Sequence, residues 1–292
     1  MDESRVSVPL QVRLQFGHAA VQYVADEVGA DLLHIKGVAV DPTLRAGWFG
    51  TDVDVIVRPE QVALIDRALR RAGWSLYSTF ANGSPFGHAQ TYLHIDWGYV
   101  DVHRSFPGIG VAPTDAFDML WADRGRLEIA GVACAVPSVT AQRVLLMLNS
   151  ARSSSGGRRD LPVVWDGADA SQRAAMEALV SRLHAEVAFA AATGELERYR
   201  EAREYLLWKV VSQGGPRSLE WWARIRAAPD LGARLRLVGR APLVNVDHLA
   251  HRLGHRPSRW EIVVEFVRRP VVAAREAVRA GRARLRRQGV AR

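Results

Sequence analysis

Residues 52–57 read Asp-Val-Asp-Val-Ile-Val, and no other run constrains the fold as tightly. In a strand, side chains alternate between the two faces of the sheet, so Asp52 and Asp54 share one face while Val53 points into the core behind it. Two carboxylates then converge among apolar neighbours. Each raises the other's pKa unless a cation joins them, and a divalent metal ion resolves the conflict. Oxygen ligands with no neighbouring histidine or cysteine set favour magnesium or manganese over zinc. Asp101, between Val100 and Val102, offers a third carboxylate on a later strand.

The surrounding pattern is that of an α+β chain. Leu14, Val21, Val24 and Val28 recur at helical spacing up to Gly29, and Leu32 to Ile35 form a short buried strand leading into Lys36-Gly37. A helix is expected from about Glu60 to Ala72, a strand from Trp74 to Phe80 and a loop over 82–87. Residues 91–96 and 99–103 alternate around Trp97-Gly98 and read as a β-hairpin, and a single strand is expected from Leu127 to Val136. Beyond Pro137 the strand signals fade. Helices are expected over 139–151, 172–192, 196–213, 219–227 and 259–267, with a Ser/Gly loop at 153–157. The organisation expected is a small mixed β-sheet core with flanking helices over 1–137, a mainly helical domain over 138–267 closing the cleft, and a basic helical tail over 268–292.

Charge is distributed unevenly. Nine of the 39 basic residues and one of the 31 acids lie from Arg268 onward, leaving 30 of each before it. The net +8 therefore belongs to the tail, which is expected to contact an anionic surface or RNA rather than to serve the chemistry. Only Lys36 and Lys209 are lysines, so Lys36 is an unusual choice in an arginine-rich chain. Lys36-Gly37 at a strand end supplies a point charge and a close-approach glycine, both suited to phosphate oxygens. The single Cys134 excludes an internal disulfide and a multi-cysteine zinc site. No stretch approaches the roughly 18 apolar residues of a spanning helix, and the first residues lack a signal pattern, so a cytoplasmic location is expected.

The order Ile35-Lys36-Gly37, then Gly50-Thr51-Asp52-Val53-Asp54-Val55-Ile56-Val57, then Tyr99-Val100-Asp101-Val102-His103-Arg104 resembles the uncharacterised nucleotidyltransferase family of the DNA polymerase β-like superfamily. The resemblance covers roughly residues 30 to 105, with looser similarity through Leu146-x-Leu148. It implies that Lys36 and Gly37 face the triphosphate and that Asp52, Asp54 and Asp101 ligate two metal ions, Asp52 and Asp54 bridging both. The family's arginine shortly before the first aspartate has Arg45 as its nearest counterpart here, which places Arg45 with the nucleotide-binding residues. His103, two residues from Asp101, would orient that carboxylate or contact substrate. The activity implied is transfer of a nucleoside monophosphate from a nucleoside triphosphate to a hydroxyl acceptor with release of pyrophosphate, the acceptor being a small molecule, protein or RNA. The alternative is a catalytically silent nucleotide-binding or protein-interaction relative.

Other signals carry less. Asp96 and His94 on the hairpin stand in for Asp101 only if the hairpin is misread. His248, His251 and His255 follow a three-then-four spacing, but Gly254 and Pro257 interrupt the helix. Trp165, Trp208, Trp221, Trp222 and Trp260 fit core and interdomain packing better than base stacking. No Walker-type loop and no Gly-x-Gly-x-x-Gly is present.

Overall fold

In a computed structural model, residues 8–47, 49–81, 86–152, 159–240, 244, 246–255 and 257–268 are described. The fold is α+β. Five strands form a mixed sheet in the order β1-β2-β5-β4-β3: β1 (Leu32–His34), β2 (Val53–Val57), β3 (Ser75–Ser78), β4 (Ala89–His94) and β5 (Gly98–His103). Only β2 and β5 run parallel; the other neighbours are antiparallel. The parallel pair sets Val53 beside Val100, Asp54 beside Asp101 and Val55 beside Val102.

Helix α1 (Leu10–Val28) covers the valine face with α2 (Val62–Arg71). Leu14, Val21 and Val24 pack there with Val53, Val55, Val57, Val100 and Val102, all buried. The contact is close enough that a Cβ on Gly17 would lie 3.0 Å from a Val53 methyl. Helix α1 ends where Gly29 turns left-handed at φ 66°, as the Val28-Gly29 break predicts. The opposite face of β2 and β5 is left to Asp54, Asp101 and His103.

Several local expectations are corrected. The strand expected over 127–136 is two strands, β6 (Gly125–Ile129) and β7 (Val132–Val136), paired as a separate hairpin. Its two turn residues, Ala130 and Gly131, take φ 51° and 79°, a turn that alanine does not announce. The expected helix 172–192 is α5 (Ala170–Arg182) and α6 (Glu186–Thr193), separated where His184 adopts φ 50°. The expected helix 196–213 is a single 3-10 turn, Leu196–Tyr199, followed by α7 (Tyr205–Gln213). Helix α3 (Pro113–Ala122) and helix α9 (Leu231–Arg240) were not anticipated. Helices α4 (Val139–Ser150), α8 (Arg217–Ala227) and α10 (Val246–Leu253) and a last helix over 259–268 complete the described elements.

The chain divides into two compact units, residues 1–150 with 157–189, and residues 151–156 with 190–292. The first holds the sheet together with α4 and α5. In it Gln142 accepts from the Asp41 amide at 2.7 Å and donates to the Pro137 carbonyl at 2.8 Å, and buried Arg143 donates to the Val164 carbonyl at 2.7 Å. The first of these bonds ties α4 to the loop after β1 and the last ties it to the turn Pro162–Asp166. The described residues of the second unit from 190 onward contain no strand. The basic tail expected over 268–292 lies outside the described residues except for Arg268.

Candidate metal centre

Asp54 is the hub of the polar face. Its Oδ1 accepts from Lys36 Nζ at 2.7 Å and pairs with His103 Nε2 at 2.8 Å. Asp101 lies directly across on β5, and its Oδ1 accepts from Thr91 Oγ1 at 2.6 Å on the facing residue of β4. A row of register partners over three strands therefore presents Asp54, Asp101 and Thr91 side by side. Atoms of Asp54, Asp101 and His103 able to bind a metal lie within 4.8 Å of one another. The two-residue period of β5 brings His103 to the face of Asp101, but its Nε2 bonds to Asp54 and not to the Asp101 carboxylate that it was expected to orient, so the donors beside the metal-binding carboxylates include an imidazole.

Asp52 lies just before β2, half-buried, and lines the same cleft without belonging to that closest cluster. Burial, then repulsion from Asp54 and Asp101, pushes its carboxyl up to about 7. Burial and the Asp54 charge also raise Asp101. For Asp54 burial acts upward too, but the Lys36 ammonium and the hydrogen bond from His103 outweigh it and hold the carboxyl well below its ordinary value. Burial lowers His103, which favours its neutral form. In that form Nε2 donates to Asp54, and the buried Nδ1 has no hydrogen-bond partner among the described residues.

The loop after β1 is shaped by Gly37, at φ 63°, where a Cβ would sit 2.7 Å from the Phe49 carbonyl oxygen. Both the left-handed backbone and the contact require glycine. Gly37→Ala should therefore cost about 2 kcal/mol or more in urea unfolding, against about 1 kcal/mol for Gly29→Ala, where φ is 66° but nothing lies within 4 Å. Equal costs at the two positions would remove the clash from the explanation. Arg45 turns its guanidinium onto this loop, donating from Nε to Val40 and from Nη2 to Val38 carbonyls, both at 2.8 Å. It lines the cleft while holding the backbone that carries Gly37.

The cleft, about 240 Å³, lies within the first unit and is lined by Lys36, Gly37, Arg45, Gly50, Asp52, Asp54 and Asp101. Leu146, Asn149 and Asp160 also face it. Asp160 was missed because it lies in the short stretch before the π-helical turn Pro162–Asp166, where nothing in the local pattern marks it. Burial raises its carboxyl. The alternative pair on the hairpin is excluded by position. Asp96 sits in the β4–β5 turn with its side chain 69 % exposed, and His94 packs on Trp74 at 4.8 Å while accepting from the Asp96 amide. His255 is paired with Glu261 at 3.1 Å, and nothing is described for the side chains of His248 and His251.

No known family description matches this chain, and no curated protein does. A solved structure described as an antigenic nucleotidyltransferase-like protein from Paracoccidioides brasiliensis is similar over 63 % of this chain and 94 % of that one, at 16 % identity and a TM-score of 0.37. That score is too low to transfer anything from the one protein to the other. What the chain holds on its own account is a mixed sheet presenting an Asp/Asp/His cluster, with Asp54 and His103 buried and Asp101 half-buried, that could hold a metal ion.

Proposed function

We propose that this chain is a metal-dependent nucleotidyltransferase that moves a nucleoside monophosphate from a nucleoside triphosphate to a hydroxyl acceptor. The reading is carried by Asp54 and Asp101 abreast on parallel strands, with Asp52 completing an acidic cleft beside the only lysine of the first unit. The donor set fits a hard divalent cation. Two of its carboxyls are raised, by burial first and by the charge of the neighbouring carboxylates second, and a cation would relieve both; His103 already braces Asp54 from the side. Magnesium or manganese ions held by Asp52, Asp54 and Asp101 would neutralise charge on the attacking hydroxyl and on the departing pyrophosphate. Lys36 and the Gly37 backbone would face the triphosphate, Arg45 would fix the loop beneath it, and His103 would keep Asp54 oriented. Catalysis of this kind depends on positioning and charge compensation, so the rigidity of the strand pair is its main structural requirement.

A catalytically silent nucleotide-binding relative is the second reading, and the Lys36–Asp54 ion pair favours it, since the ammonium compensates the same carboxylate that a metal ion would. Manganese titration followed by electron paramagnetic resonance, with and without each nucleoside triphosphate, separates the two when combined with label transfer. The enzyme reading expects manganese binding that strengthens with nucleotide, release of pyrophosphate, and α-phosphate label carried onto one size fraction of a cell extract. Nucleotide binding without pyrophosphate release on any fraction would sink it in favour of the silent form.

A further inference from the structure

The last described helix, residues 259–268, is turned inside out. Its start is fixed by Ser258 and Glu261, which exchange backbone and side-chain hydrogen bonds in a capping box, the Ser258 amide reaching Glu261 Oε2 at 2.7 Å. Glu261 also pairs with His255 at 3.1 Å, and Glu265 takes Arg252 at 2.6 Å. Both acids are thereby held against the second unit. The opposite stripe, Trp260, Val263, Val264 and Val267, follows the i, i+3, i+4, i+7 spacing of an apolar helix face and points outward, with Trp260 73 % and Val267 63 % exposed. Helix α9 of the same unit repeats the arrangement: Leu231, Leu235 and Val238 are exposed, Leu231 at 70 %, interleaved with exposed Arg234 and Arg236.

We propose that these exposed apolar stripes of the second unit dock on an anionic lipid surface. The occupant is identified by charge. The outward stripe runs directly into the segment that carries the whole net charge of the chain, nine arginines against one glutamate from Arg268 onward. Apolar side chains beside a dense arginine run match a bilayer interface, where the former enter the acyl boundary and the latter meet anionic headgroups. RNA would satisfy the arginines and could stack a base on Trp260, but it would leave Val263, Val264 and Val267, which have no π face, without a partner, whereas a bilayer takes all four. A second copy of the chain would bring two segments of like charge together. In the sequence a proline stands three residues after Val267, so the apolar pattern covers about two turns, well short of the three to four heptads a coiled coil needs.

The test sediments the full chain with vesicles of phosphatidylcholine alone and with vesicles in which one third of the lipid is phosphatidylglycerol. Binding is expected on the anionic vesicles only and should fall as salt rises. Trp260→Ser/Val264→Ser, at exposed positions that leave the fold intact by circular dichroism, should weaken it by about tenfold or more. Arg268→Gln/Arg269→Gln should weaken it by about tenfold as well. Brominated lipid should quench part of the tryptophan fluorescence, and Trp260→Phe should remove that part while keeping the binding. The proposal is overturned if the serine variant binds the anionic vesicles as wild type does. It is equally overturned if the serine variant loses single-stranded RNA binding to the same extent, or if sedimentation equilibrium shows a dimer that the serine variant dissociates.

Discussion

Asp54→Asn is expected to lower nucleotidyl transfer by at least about 10³-fold while the protein stays folded. The magnitude follows from the several kcal/mol that a positioned metal ion contributes to charge stabilisation in the transition state, at about 1.4 kcal/mol per tenfold in rate. Asparagine keeps the volume of the side chain and retains an oxygen to accept from His103 Nε2, so the bond holding the ring survives. What is lost is the charge facing Lys36. Removing one partner of a fully buried pair costs about 3–5 kcal/mol, but Lys36 keeps 18 % of its side chain exposed in the cleft and can turn to water, so about 1–3 kcal/mol is expected. Pyrophosphate release and a thermal melt on the same preparation check both halves. Wild-type turnover in a folded Asp54→Asn protein would reject the assignment of the site.

Asp52→Asn is expected to stabilise the metal-free protein at neutral and alkaline pH while weakening manganese binding by tenfold or more. The sign follows from linkage. A carboxyl at about 7 in the folded chain against the ordinary 3.8 binds its proton more tightly when folded. Its protonation therefore favours folding below the unfolded value, and that contribution is lost as pH rises through 4 to 7. Above pH 7 the ionised Asp52 is a standing penalty, bounded by about 4 kcal/mol from the shift and reduced by water reaching the half-buried side chain to about 1–3 kcal/mol. Asparagine removes it. Urea unfolding at pH 8 should show the gain, and at pH 4 the two proteins should converge. Asp54 acts with the opposite sign, because its depressed carboxyl stabilises the fold above the ordinary carboxylate range and loses that contribution in acid. A lower midpoint for Asp52→Asn at pH 8 would show that its charge is already compensated.

The sheet was readable in the sequence wherever one physical rule dominated. Period two in 52–57 and 99–103 separates valines from acids so cleanly that the face of Asp54 and Asp101 follows from it, and the hairpin forms as expected, although its turn is Ile95-Asp96-Trp97, with Gly98 opening β5 opposite His94 at φ 80°. Where two rules competed, the reading failed. Ala130 and His184 adopt positive φ without the glycine or asparagine that announces it, so one strand was expected where there are two and one helix where there are two. The nearness of His103 to Asp54 depends on the parallel β2–β5 register, which no local pattern fixes. Asp160 reaches the cleft through the packing of residues 159–168 on α4, a tertiary fact with no local signature.

The pairing of Asp54 with Asp101 also polices assembly. β2 and β5 are separated in sequence by α2, β3 and β4, and strands brought together over such a distance can meet one residue out of step. A slip of either strand would turn its carboxylate into the apolar layer beneath α1 and lift valines into the cleft, at a cost of several kcal/mol for each buried, unpaired charge. Misaligned pairings are thereby rejected during folding by the same side chains proposed to hold the metal. Substitutions that neutralise both aspartates should accordingly refold with more heterogeneity than their equilibrium stability implies.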